Sequence, residues 1–314
     1  MKKSTKRILF VIGASVAAMY AYNKFIESTA TKKNLLSTED GDFFTWKDEK
    51  VFYTKSGSGK PLLLIHDADA SASSEEWCKI IHRLEKKHTV YCIDLLGCGR
   101  SDKPCIEYTN YYYVQMITAF IKEIIKEKTS VISTNISASF VIMANHMDDT
   151  LFEKMILINP VSLKQLNVIP DKLSKMKKRI IEVPFIGTFV YNVLTSNKKI
   201  DLTFRTKYHG KPQLISSRIE DTYYEAAHTN GSNGRFLYSS LLGNYVNNTI
   251  THAVKKISIP TLIIGCKEIR KYEHALDDYH KVNSNLEILR INNGSLYPHM
   301  EIPEKINSII ENYL

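Results

Sequence analysis

Cysteine is scarce in this chain: Cys78, Cys92, Cys98, Cys105 and Cys266 are the only five in 314 residues. An odd number without framework spacing excludes a fold that depends on disulfides. The thiols are expected as small apolar fillers or free groups, a Cys98–Cys105 pair within one loop being the alternative. No zinc-ligand spacing, aromatic RNP-like strand or basic recognition helix is present, so nucleic acid is not an expected partner despite a net charge of +9. No metal and no cofactor is expected either. Internal repeats are absent. The uncharged run Ile8 to Tyr22 is shorter than the ~20 apolar residues that a spanning helix usually wants.

What is present is an ordinary globular composition, with 44% hydrophobic and 24% charged residues, enough to bury a sizeable core. The basic excess gathers at the amino terminus and between Lys164 and Lys211, where it suits a solvated surface, an anionic membrane face or acidic ligands. Lys2, Lys3, Lys6 and Arg7 precede the apolar run. With Phe25, Ile26 and a snorkelling Lys24 it reads as a marginal single-pass membrane anchor over residues 1–27. Cleavage near Ser28-Thr29-Ala30 would make it a secretory signal instead. The positive flank predicts an extracytoplasmic body. Free thiols fit the opposite side. A polar linker, residues 28–42, follows.

Phe43 to Lys47 and Val51 to Ser56 read as short strands around a polar turn. Leu62 to Ile65, Thr89 to Ile93, Ser130 to Thr134, Lys154 to Ile158 and Pro260 to Gly265 are strand-length apolar runs, as expected for strands covered on both faces. Between them, Ser73 to Leu84, Tyr112 to Lys126 and Ala138 to His146 carry helical periodicity. The alternation predicts a doubly wound, mostly parallel α/β sheet. It stops between residues 164 and 256, a helical insertion or lid, and resumes with a strand at Asn285 to Ile291 and a helix at Pro303 to Leu314. Residues 43–163 and 257–314 are thus the expected core.

Asp94-Leu95-Leu96-Gly97-Cys98-Gly99-Arg100-Ser101-Asp102-Lys103-Pro104 resembles the D-x-x-G-x-G-x-S-x-x-P loop of the α/β-hydrolase superfamily, and the resemblance extends over roughly Lys60 to Leu314. It implies a Ser–His–acid triad and an oxyanion hole. The motif positions depart from that pattern. The strand-His-Gly of the oxyanion loop appears as Ile65-His66-Asp67, and a carboxylate there would oppose a developing oxyanion. The nucleophile elbow G-x-S-x-G falls in Ser133-Thr134-Asn135-Ile136-Ser137-Ala138-Ser139. One register puts Asn135 at the nucleophile position, the other Ser137. The acid position is Ile269, with Glu268 adjacent; after the preceding strand stands Asn159. The base position is Leu296, or Ser295 with a one-residue shift, and His299 lies three residues later.

Since a triad acts as a unit, the reading favoured is a membrane-tethered protein of this fold with lost or much reduced hydrolysis, a pseudo-hydrolase or binding protein. The alternative is an active esterase using Ser137, His299 and either Glu268 or a carboxylate from the lid. The apolar stretch Pro184 to Leu194 in the lid points to a hydrophobic or lipid-like ligand, or to packing on the sheet.

Overall fold

The computed structural model describes residues 3–207, 216–267 and 270–314. Among them the strands are β1 (Asp42–Trp46), β2 (Glu49–Ser56), β3 (Lys60–Ile65), β4 (His88–Ile93), β5 (Thr129–Thr134), β6 (Phe152–Ile158), β7 (Thr261–Cys266) and β8 (Glu287–Ile291). They form one sheet ordered β1-β2-β4-β3-β5-β6-β7-β8. The β1–β2 and β2–β4 pairings are antiparallel, and all others are parallel. The continuous apolar runs are explained by burial on both faces: Leu63 and Ile65 point into one core, Leu62 and Leu64 into the other. Each such side chain contributes about 1.5–3 kcal/mol.

The larger core is closed by the helices Asn110–Phe120 and Ser137–Met147, and the smaller by Trp77, Ile80, Leu84 and the final helix, Pro303–Tyr313. In chain order we label α1 (Lys3–Thr29), α2 (Asn110–Phe120), α3 (Ser137–Met147), α4 (Lys172–Glu182), α5 (Ile186–Leu194), α6 (Asn197–Lys207), α7 (Ser217–His228), α8 (Arg235–Leu242), α9 (Arg270–Val282) and α10 (Pro303–Tyr313). Helices α4 to α8 occupy the insertion between β6 and β7.

The sequence periodicity predicts one helix over Ser73 to Leu84, and here the structure differs. A 3-10 turn, Ser74–Trp77, is followed by a separate short helix, Ile81–Leu84. The tighter turn brings Glu76 inside the protein, where its carboxylate accepts from the Asp67 amide and the Thr134 hydroxyl.

Helix α1 forms where a helix is expected; no described helix is long and apolar enough to cross a membrane. Asn23, Lys24 and Glu27 interrupt the apolar run, and the carboxyl half is docked on the lid. Asn23 donates to the Phe185 carbonyl at 3.1 Å and accepts from Asn192 at 3.0 Å, and the Tyr22 and Phe189 rings meet at 5.4 Å. The linker is tied down as well, Leu35 and Leu36 donating their amides to Glu225.

The loop after β4 is held by its own motif. Asp94 is fully buried and accepts from the amides of Ser74 (2.7 Å) and Arg100 (2.8 Å) and from Arg100 Nε (2.8 Å). Gly99 has φ +45°, and a Cβ there would stand 2.3 Å from the Asp94 carboxylate. Ser101 donates to the Asp94 carbonyl and accepts from the Phe52 amide, fastening the loop to β2.

Candidate active site

Parallel strands deliver their carboxyl ends to one edge of the sheet, the place where ligands meet open α/β folds. Here that edge carries His66-Asp67 after β3, Asn135 after β5, Asn159 after β6 and the loop Ser295-Leu296-Tyr297 after β8. Glu268 and Ile269, the residues after β7, lie outside the described residues.

Between β5 and α3 the chain turns at Asn135, whose φ is +46°. Asparagine tolerates this left-handed conformation better than most residues. Asn135 sits on the sharp strand-to-helix turn, and Ser137 is the first residue of α3. Ser137 is fully buried and its hydroxyl donates 2.7 Å to the His66 carbonyl. The His66 ring organises the loop, Nε2 accepting from the Leu95 amide at 3.0 Å and Nδ1 lying 2.7 Å from the Asp67 carbonyl.

Asp67 fills the centre of the site. Its carboxylate accepts from Asn135 Nδ2 at 2.7 Å and Tyr297 Oη at 2.8 Å, with the Ile136 amide at 3.4 Å. Its own amide donates to Glu76 Oε2 at 3.2 Å. In an α/β-hydrolase the amide following the nucleophile and one from the loop after β3 form the oxyanion hole. Here the corresponding amides, Ile136 and Asp67, are both directed at carboxylates of the protein itself. Burial, followed by the nearby Glu76 charge, raises the Asp67 carboxyl to about 7, against the opposing hydrogen bonds from Asn135 and Tyr297. The group therefore changes charge near neutrality.

Leu296, at the base position, is buried with Phe204, Tyr223 and Met300 in an apolar cluster beneath the lid. Asn159 spans the place where an acid would orient a histidine. Its Nδ2 donates to the carbonyls of Ser295 (2.7 Å) and Leu296 (2.8 Å), and its Oδ1 accepts from the Cys266 amide (3.0 Å). Like Asn135 it has φ +46°. His299 is fully buried, stacked on Trp77 at 4.4 Å, with Nε2 3.2 Å from Glu76 Oε1 but without hydrogen-bond alignment. The hydroxyl of Ser137 and the ring of His299 thus have different partners.

Sequence reasoning missed Glu76 and Tyr297. The signal for Glu76 was a carboxylate embedded between Ser74 and Trp77 at the start of an apolar stripe; Tyr297 directly follows the leucine at the base position. Among the described residues no cluster of three or more His, Cys, Asp or Glu could hold a metal ion.

Beside this network a cavity of about 220 Å³ opens beneath the lid. Leu194, Ile200, Phe204 and Leu296 are its apolar lining, and Asp69, Lys199, Tyr223 and Tyr238 are among its polar lining.

Residues 60–132 match the family model described as alpha/beta hydrolase fold. Among curated proteins, 113 residues are 29% identical to 2-hydroxy-6-oxo-6-(2'-aminophenyl)hexa-2,4-dienoic acid hydrolase of Metapseudomonas resinovorans, covering 35% of this chain and 39% of that protein. An uncharacterised protein of Mycobacterium tuberculosis is 24% identical over 147 residues, 45% of this chain and 42% of its own. The matches thus span about two-fifths of those relatives. Two solved structures share the fold over nearly their full length. A serine hydrolase involved in carbazole degradation has TM-score 0.70 at 18% identity, covering 87% of this chain and 97% of its own. A membrane phospholipase A described as a bacterial virulence factor has TM-score 0.68 at 15% identity, covering 100% and 98%. Strand order, crossover helices and the matched segment give this chain the α/β-hydrolase fold.

Proposed function

We propose that this protein binds a small hydrophobic or lipid-like molecule in the cavity beneath the lid and has lost, or very largely lost, ester hydrolysis. The observation that carries this reading is the engagement of both oxyanion amides by carboxylates. A substrate carbonyl entering the site would have to displace Asp67, and the negative charge it develops would face two acidic groups instead of two free donors. Asn135 adds an amide where a nucleophile is needed. Leu296 adds an alkyl group where a base is needed.

The cavity is smaller than the roughly 300–1,000 Å³ of most ligand sites, which favours a short molecule with an apolar body and one hydroxyl or carbonyl for the tyrosines. Attachment to a membrane through α1 belongs to the same reading. Phe10, Val11, Ile12 and Val16 are exposed on a half-helix that stands clear of the lid, an arrangement suited to lying in the lipid interface rather than crossing it. That the membrane phospholipase structure overlays the full chain supports this.

The test is reaction with a fluorophosphonate probe, comparing the wild-type protein with Ser137→Ala. Neither is expected to label. Labelling of the wild type that vanishes in the variant would overturn the reading and make Ser137 a nucleophile.

A further inference from the structure

Helix α4 of the lid has an unusual orientation for its apolar residues. Its inner side is formed by Ser174 and Ile181, both buried, and by Lys178, which pairs with Glu182 at 2.8 Å and Glu107 at 3.5 Å. The outer side carries Leu173 (52% exposed), Met176 (52%), Ile180 (45%) and, just past the helix end, Val183 (44%). At 3.6 residues per turn these four positions fall within about 80° of the circumference, opposite the buried side. Lys177 borders the stripe on one flank, Lys172 and Arg179 on the other.

Unlike Lys178, these three cations are exposed and form no ion pair among the described residues. A solvated helix would present its polar residues outward. This one presents an apolar stripe edged by unpaired positive charge. The stripe continues at the turn into α5 through Phe185 and Ile186, both exposed. There it reaches α1, the Tyr20 and Phe185 rings lying 6.5 Å apart.

We propose that the outer side of α4 is a lipid-contact surface selective for anionic bilayers, acting beside the α1 attachment proposed above. Leu173, Met176 and Ile180 enter the acyl boundary while Lys172, Lys177 and Arg179 reach to the headgroups, the geometry of an interfacial amphipathic helix. The charge argues for a bilayer over a second copy of this chain: two such surfaces facing each other would bring six unpaired cations together. The inference does not depend on whether the site hydrolyses anything, and vesicle binding and probe labelling fail independently.

Cosedimentation of the full chain with vesicles tests it. The wild type is expected to bind phosphatidylcholine vesicles containing phosphatidylglycerol more strongly than phosphatidylcholine alone, with binding that weakens as salt is raised. Combined Lys172→Glu, Lys177→Glu and Arg179→Glu should weaken binding to the anionic vesicles at least about tenfold. Combined Leu173→Ser, Met176→Ser and Ile180→Ser should weaken it on both. Equal binding by wild type and the charge variant would assign attachment to α1 alone and overturn the proposal. So would a lipid-free dimer that the apolar variant dissolves. The salt titration and the comparison of vesicle types use the unaltered protein and can overturn the proposal even where a variant does not fold: salt-insensitive binding, or equal binding to both vesicle types, overturns it.

Discussion

The loop after β4 and the turn after β5 leave the same edge of the sheet, yet one keeps its family pattern and the other does not. In the first, Asp94, Gly99 and Ser101 of the motif hold the loop itself. Asp94 collects amides and a guanidinium, Gly99 admits the close approach of that carboxylate, and Ser101 fastens the loop to β2. In the second, Asn135 retains the left-handed turn but its side chain donates to Asp67. The strand-to-helix turn of the elbow region thus has an asparagine at its apex. Residues that hold this fold and residues that perform its chemistry are therefore separable, even when they sit on adjacent loops.

That separation can be broken experimentally. The largest effect is expected from Arg100→Met, which leaves Asp94 buried without its counter-charge and should cost about 3–5 kcal/mol in urea unfolding. Second comes Asn135→Ser. It removes a donor to a buried carboxylate, which costs about 1–3 kcal/mol, and on the proposed reading should bring no ester hydrolysis because the base position holds Leu296. Turnover of a p-nitrophenyl ester by this variant would show that fold and chemistry are not separable at these two loops.

The third concerns pH. Asp67 is raised from 3.8 to about 7 in the folded state, so between those values the folded protein holds a proton that the unfolded chain has released. Its contribution is fully present below pH 3.8 and is lost as pH rises through about 7, with a slope of at most ~1.4 kcal/mol per pH unit. Asp67→Asn should flatten that part of the stability profile measured by denaturant midpoints. Smallest is Ser137→Ala, expected to cost about 1 kcal/mol for one buried hydrogen bond and to leave probe labelling at its background.

Much of the sheet was legible because its signal is local. Runs such as Leu62 to Ile65 need both faces covered, and the observed strands fall within a few residues of those runs. The Gly-Cys-Gly loop was equally clear, since its glycines answer to backbone sterics. The elbow register was not legible. Asn135 and Ser137 are both flanked by small residues, and which of them takes the left-handed turn is set by where β5 ends. Glu76 and Tyr297 escaped for a different reason: their roles arise from contacts across the fold, to Asp67 from segments 9 and 230 residues away. The stretch Ser73 to Leu84 misled because its apolar spacing suits a continuous helix, while the need to bury Glu76 favours a tighter turn.

Asn159 has a consequence for any attempt to build a triad at this edge. One side chain joins the ends of β6 and β7 to the stretch that would carry a base. A histidine installed at 296 would meet an amide already committed to three backbone groups. Exchanging Asn159 for aspartate first would remove two donors from Ser295 and Leu296 and loosen that stretch before any imidazole was there to benefit. Neither order offers a useful intermediate, and Asp67 would still occupy the oxyanion position. On the proposed reading, hydrolysis at this edge would require several concerted exchanges.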